Sequence, residues 1–301
     1  DGSFASASFA PSALDPELAA CLSHATRPNQ TTKRRALRDV VAVVEGRRLE
    51  RGAVSNDDDR SSETKNATTT GVSTPTRAAA LPPETVAAAL PLWHRAFARL
   101  VDDDRTETRL AAAEANAAIC AGAGRGLAAH LKRVAPAWFA AAHDEDATVA
   151  AAASASFARV FATEERRRAV LTRFAGEVLG RVAEKLAGEG DAFGARASRD
   201  DAGGEGSAEA PSEARRERSE RTRAAALRTL AGFVRAADTS SRDVFAEIVR
   251  ALDAIPGGLR KCAASPSAQT RRAAYGAALA LAGADGVFGE TDEATDEAPL
   301  A

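Results

Sequence analysis

Between Glu84 and Phe161 the apolar residues keep to one side of four successive helical stretches, and this periodicity constrains the fold more than any other feature of the chain. Val86, Leu90, Trp93, Phe97 and Leu100 are separated by alternating steps of four and three residues. That spacing puts all five on one face of an α-helix. An acidic turn, Asp102-Asp103-Asp104, leads to a second helix that opens at Thr108-Arg109 and carries Leu110, Ala113, Ala117 and Cys120 on one side. The plan then recurs: Leu127, Leu131, Val134 and Trp138, the acidic turn Asp144-Glu145-Asp146, and Thr148-Val149 leading to Ala153, Phe157 and Val160. Two helical hairpins built alike in tandem are the unit of an α-solenoid.

The second helix of each pair begins with a similar string. Thr32-Lys33-Arg34-Arg35-Ala36, Thr108-Arg109-Leu110-Ala111-Ala112, Thr148-Val149-Ala150-Ala151-Ala152, Thr222-Arg223-Ala224-Ala225-Ala226 and Thr270-Arg271-Arg272-Ala273-Ala274 align. With two low-complexity insertions removed, the spacing is about 40 to 48 residues, the period of HEAT and armadillo repeats. Small residues let neighbouring helices approach closely. The Arg near each helix start is placed to pair with acids of the preceding turn, Asp103 or Asp104 for Arg109, as a rung between repeats rather than as a catalytic group.

The remainder of the chain fits the same frame. Residues 1–13 form a small-residue peptide bearing Phe4 and Phe9, which either tuck onto the first helices or anchor a partner. Residues 14–46 read as the first hairpin, with Asp15-Pro16-Glu17 as a helix start, Arg27-Pro28-Asn29 as a break and Gly46 as a stop. Residues 47–80 and 188–215 are rich in small and polar residues and are expected to be disordered insertions. HEAT-like repeats are expected over 81–187 and 216–283, and an acidic tail over 284–301. Pro91 and Pro136 occupy equivalent places in two outer helices and predict a bend in each. Glu164 to Leu186 reads as one long helix with Leu171, Phe174, Val178, Val182 and Leu186 inward. Val244, Ile248 and Leu252 mark a further helix, and in the last one Tyr275, Ala278 and Ala282 are expected on the buried side. The fold class is therefore all-α: a HEAT/armadillo-like solenoid of antiparallel hairpins.

Charge is informative only through its distribution. The net charge is −2, yet Arg27 to Arg51 is basic and the stretch after Ala284 contains acids and no Lys or Arg. Three dispersed cysteines, Cys21, Cys120 and Cys262, read as buried thiols of a reducing compartment. No apolar run approaches membrane-spanning length. The chain contains no Met, which reads as a piece of a longer protein. His24, His94, His130 and His143 are scattered, and Cys21 with His24 has no second ligand pair to complete a zinc site. Gly122, Gly124 and Gly126 follow no strand, so they read as a helix stop rather than a phosphate loop. No catalytic constellation is found.

The order of several short segments resembles the N-terminal region of the listerin family, RING E3 ubiquitin ligases of ribosome-associated quality control. Phe4 and Phe9, then Gln30-Thr31-Thr32-Lys33-Arg34-Arg35-Ala36-Leu37, then Ala89-Leu90-Pro91-Leu92-Trp93 with the acidic turn to Arg109, carry the resemblance. Leu131 through Trp138, Ala150 to Phe161, Arg221 to Phe233 and Gln269 to Leu279 extend it. The resemblance implies an armadillo-like region that docks on the large (60S) ribosomal subunit and on a NEMF-like quality-control factor. A distant RING then carries out protein ubiquitination of the stalled nascent chain, feeding ubiquitin-dependent catabolism and the rescue of stalled ribosomes in the cytosol. It implies a monomeric chain without a membrane partner, an E2 engaged only through the RING, and no cofactor here, zinc belonging to the RING. The implied contact is Thr31, Thr32, Lys33, Arg34, Arg35 and Arg38. Clustered cations at a helix start independently suit phosphate backbones, though a solvated basic face has the same composition.

Overall fold

The computed structural model describes residues 14–46, 79–187 and 213–285. Among these residues every regular element is helical. They are α1 (Pro16–Ala25), α2 (Gln30–Glu45), α3 (Pro83–Leu100), α4 (Thr106–Ala123), a 3-10 helix (Gly124–Ala129), α5 (Leu131–Ala141), α6 (Ala147–Val160), α7 (Glu164–Arg173) and α8 (Ala175–Ala187). After the second undescribed stretch come α9 (Glu213–Ala236), α10 (Arg242–Asp253), α11 (Gly258–Ala263) and α12 (Ala268–Asp285). The expectations for 1–13, for most of 47–80 and 188–215, and for nearly all of 284–301, Phe4 and Phe9 included, lie outside the described residues.

Local chemistry sets the ends of these helices. The Asp15 carboxylate accepts from the Leu18 amide at 2.8 Å, with Pro16 as the first helical residue. The Asn29 side chain accepts from the Thr32 amide at 2.9 Å, and α2 stops at Gly46 with φ 67°, a left-handed conformation that glycine adopts at least cost. Asp146 caps α6 by accepting from the amides of Thr148 and Val149.

Helices pair as α1 with α2, α3 with α4 and α5 with α6, and the second members stack in a row, α2 on α4 on α6. Every residue of the α3 stripe from Val86 to Leu100 is buried. Equivalent tryptophans tie the two helices within each central pair: Trp93 Nε1 of α3 donates to Asn116 Oδ1 of α4 at 2.9 Å, and Trp138 Nε1 of α5 to Ser156 Oγ of α6 at 2.8 Å. Both rings are fully buried, so each indole N–H needs its acceptor. Close approach is purchased with small residues. A Cβ on Gly122 would lie 2.9 Å from a Val44 methyl, which ties the end of α4 to α2.

A second core is built from α7 to α12. It meets the first through α5, whose Trp138 belongs to the first core while the adjacent Phe139 belongs to the second and packs edge-on against Phe233 of α9 at 6.1 Å. Helix α8 rests on α5, α9 and α10, and α9 makes its longest seam with α12.

Three expectations need correcting. The long helix from Glu164 breaks at Phe174, whose backbone (φ −114°, ψ 25°) separates α7 from α8. Leu171 still turns inward, as do Val178, Val182 and Leu186, but Phe174 is only half-buried. On α12 the buried residues are Thr270, Ala273, Ala274, Ala277 and Ala280, whereas Tyr275, Ala278 and Ala282 are exposed. An alanine-rich helix has no single apolar stripe, and the smallest face wins because it admits α9 most closely. Gly122 lies inside α4, and the 3-10 helix replaces a simple turn at Gly124 and Gly126. Pro91 and Pro136 sit within helices that run on through them.

Candidate functional site

The recurrent string acts first as a joint. The Thr108 hydroxyl, on a fully buried residue, donates to Gln30 Oε1 at 2.9 Å. The Thr270 hydroxyl, equally buried, donates to Glu220 Oε2 at 2.7 Å. Gln30 and Glu220 each stand two residues before the threonine of their own string, Thr32 and Thr222, so the two contacts share one register. Thr32, Thr108 and Thr270 are third residues of their helices, but Asp146 caps α6 and makes Val149 its third residue. The alignment at Thr148 is therefore one residue out, and Thr222 falls within α9 rather than at a helix start.

The following residue holds the incoming turn. Arg109, Arg167 and Arg271 are each the fourth residue of a helix. Nη1 of Arg109 donates to the carbonyls of Asp103 and Asp104 at 3.0 and 3.4 Å. Arg167 does the same to Phe161 and Ala162 at 3.0 and 3.1 Å, and Arg271 to Ser265 and Pro266 at 2.7 and 2.8 Å. A guanidinium supplies several donors in one plane, so it can satisfy two turn carbonyls and still reach a carboxylate.

That carboxylate belongs to the next repeat. Arg109 Nε and Nη2 lie 2.7 and 3.0 Å from the two oxygens of Asp144. Lys33 Nζ, at the same helical position in α2, lies 2.6 Å from Asp103. Asp103 and Asp144 correspond: each accepts from the amide two residues on, Arg105 and Asp146, at 3.0 and 2.9 Å. The expected rungs exist, but they point forward to the following turn, and only backbone carbonyls of Asp103 and Asp104 serve Arg109. Burial alone would lower the Arg109 guanidinium; the hydrogen bond and charge of Asp144, with Glu145 and Asp146, outweigh it and hold the group above its ordinary value.

The same turns clasp the second core. Asp102 receives Arg181 at 2.8 Å and Lys185 at 2.7 Å from α8, and Asp104 receives Arg218 at 2.7 Å and also Arg221 from α9. Arg228 of α9 is 3.7 Å from Glu145, and its burial lowers its guanidinium from the ordinary value. Sequence reading missed these partners. Their signal was the helical spacing of Arg181 with Lys185 and of Arg218 with Arg221.

The six residues expected to contact a partner sit in different surroundings. Lys33 is engaged with Asp103, and the Thr32 amide with Asn29. Thr31, Arg35 and Arg38 are exposed and Arg34 is half-buried. Among the described residues neither Arg34, Arg35 nor Arg38 has an ion-pair partner. Their location is distinctive. Arg35 and Asp39 stand three and seven residues past the string's threonine, where α4 has buried Ala111 and Ala115 and α12 has buried Ala273 and Ala277. In those helices the face stacks on the preceding one. In α2, the first of the row among the described residues, it is charged, with Arg35 exposed and Asp39 half-buried.

Among the described residues no three metal-ligating side chains converge, and no helix is long and apolar enough to cross a membrane. His143 lies against the Phe139 ring at 4.6 Å and over Gly232 of α9, and burial, with the charge of Arg235, pushes it down to about 4.

No curated protein matches the chain. Among solved structures, the designed armadillo repeat protein YIII(Dq)4CqI is similar at 15% identity and a TM-score of 0.34, over 88% of this chain and 100% of that one. The designed armadillo repeat protein YIII(Dq.V1)4CPAF, in complex with the peptide (KR)4, is similar at 13% identity and a TM-score of 0.35, over 93% and 94%. A family profile described as the N-terminal domain of E3 ubiquitin-protein ligase listerin matches residues 14–275, which takes in the first core, most of the second and the rungs from Lys33 to Asp103 and from Arg109 to Asp144. The chain belongs to the listerin family.

Proposed function

We propose that this chain is the ribosome-docking region of a listerin-type RING ubiquitin ligase, acting in ribosome-associated quality control in the cytosol. Its partners in this reading are the large (60S) ribosomal subunit and a NEMF-like factor, and the RING that engages the E2 lies elsewhere. Membership of the family carries the reading. The exposed cations of α2 support it: Arg35 and Arg38 are exposed, and among the described residues no carboxylate pairs with them. Unpaired guanidinium groups on a rigid helix suit phosphate, which they bind with two parallel hydrogen bonds. Lys33 then acts indirectly, by locking α2 to the α3–α4 turn.

The test is co-sedimentation of the full chain with purified large subunits over a salt series. Arg35→Glu with Arg38→Glu should weaken pelleting at low salt and flatten its salt dependence, as expected when phosphate contacts are lost. Binding that survives the reversal unchanged removes the reading.

A second reading has its own observation. Charge at Arg35 and Asp39, where α4 and α12 carry alanine, is what a terminal cap of a helical repeat needs. On that view the chain is a helical scaffold for protein partners without ribosome binding, and the double variant changes solubility while leaving co-sedimentation untouched.

A further inference from the structure

Helices α1 and α3, the first members of adjacent pairs, touch along their length and leave a groove of about 300 Å3 between them. Its floor is apolar. Leu22 and Ala96 are buried in the first core beneath it, Ala19 is half-buried, and Leu92 stands beside it 48% exposed. Among the described residues of α1 to α6, Leu92 is the only large apolar side chain left exposed.

The rim is cationic. Arg95 and Arg99, both exposed, line it from α3, and no acid lines it among the described residues. Arg95 has no ion-pair partner among the described residues. The one acid of α3, Glu84, is about 16 Å from Arg95 along the helix, at ~1.5 Å per residue. The positive field reaches past the groove. His94, the neighbour of Arg95, is held below its ordinary value by burial first, and the charges of Arg133, Arg95 and His130 add to this against the contact with the Leu90 carbonyl. Cations gathered without a countercharge repel one another, so an incoming carboxylate is attracted by all of them together.

We propose that this groove docks an acidic amphipathic helix of another protein. One bulky apolar side chain enters between Leu22, Leu92 and Ala96, and carboxylates on the adjoining turns face the rim at Arg95 and Arg99. The volume suits a single anchor, since it lies at the lower end of the roughly 300–1,000 Å3 of binding pockets. Two parallel ridges of side chains are also the bed into which a third helix lays an apolar stripe. Nucleic acid fits less well: phosphate gains nothing from an apolar floor, and no aromatic side chain lines the groove on which a base could stack. The surface is separate from the one assigned to the ribosome, because Arg35 and Arg38 belong to α2 and do not line it.

The probe is a short fluorescein-labelled helical peptide with a central leucine and glutamates one turn to either side, titrated by anisotropy with the full chain. The unaltered chain should bind it. Arg95→Glu reverses the rim and Ser23→Trp fills the groove, both from exposed positions, and each should weaken binding about tenfold or more. A peptide with lysines in place of the glutamates should prefer Arg95→Glu to the unaltered chain. A peptide that stays free overturns the proposal, as does one whose leucine can be changed to serine without loss. So does tighter, Arg95-dependent binding of a fluorescein-labelled RNA hairpin, and so does self-association that Arg95→Glu abolishes, which would seat a second copy in the groove. Arg35→Glu with Arg38→Glu should bind the peptide normally, so failure of ribosome docking and failure of this groove are read apart.

Discussion

Thr108 donates its hydroxyl hydrogen to Gln30 across the seam between α4 and α2, and the same bond recurs between Thr270 and Glu220 across the seam between α12 and α9. Periodicity places a helix near its neighbour, but only a directional bond fixes how far one slides along the other. Each of these bonds sits at the start of the later helix, where it sets the register before the alanine seam closes behind it.

Thr108→Val keeps the shape of the side chain and deletes the donor. The variant should lose about 1 kcal/mol of stability, the net worth of one such hydrogen bond. Chemical denaturation with an unchanged slope would measure it, and Thr108→Ser should recover most of the loss. No difference between the Val and Ser variants would mean the hydroxyl is incidental.

Arg109 is a stricter case. Its guanidinium serves two carbonyls and a largely buried Asp144 together, and lysine cannot reproduce that geometry. Arg109→Met should cost about 3–5 kcal/mol because it leaves the Asp144 carboxylate without its partner. Asp144→Asn in the same chain should return part of it, since a neutral amide needs no countercharge. A double-mutant cycle with no coupling between the two positions would contradict the ladder.

His143 predicts a pH dependence whose sign is fixed by its burial. Folded, it is held down to about 4; unfolded, it returns to its ordinary value of 6.5. Between these values the unfolded chain binds the extra proton, so stability is full above 6.5 and is lost as pH falls toward 4. The loss attributable to this ring approaches about 3 kcal/mol. His143→Gln should flatten the curve in that window, and an unaltered slope would assign the acid sensitivity to other groups.

Gly232 has no room for a side chain, because a Cβ there would overlap the His143 ring. Gly232→Ala should destabilise by about 1–3 kcal/mol through forced separation of α5 and α9. His143→Ala combined with it should be milder than the sum of the two. Additive losses would show that the contact between α5 and α9 is already loose.

Much of this architecture was legible where side chains are large. The stripe from Val86 to Leu100 could face only one way, and Trp93 and Trp138 announced equivalent outer helices. Alanine hid the rest. On α12 the face that packs is lined by alanines and the larger Tyr275 and Leu279 stay outside, so periodicity chose Tyr275 for the interior and packing distance chose Ala274. The forward aim of Lys33 and Arg109 was invisible for another reason: their partners are 70 and 35 residues away, and only stacking brings them near. The break at Phe174 has no proline to mark it, and the nearest glycine, Gly176, falls inside α8. Of the residues expected to meet a partner, Arg35 and Arg38 were readable as exposed, while Lys33 could not be known as engaged before the turn that receives it was in place.

Trp138 and Phe139 are neighbours on one helix, and each is anchored in a different core. A helix cannot turn about its own axis without carrying both rings, so any roll of α5 that eases one side must strain the other. The two halves of the molecule are thereby geared together: a displacement imposed on the first hairpins has, in α5, a shaft that delivers it to α9.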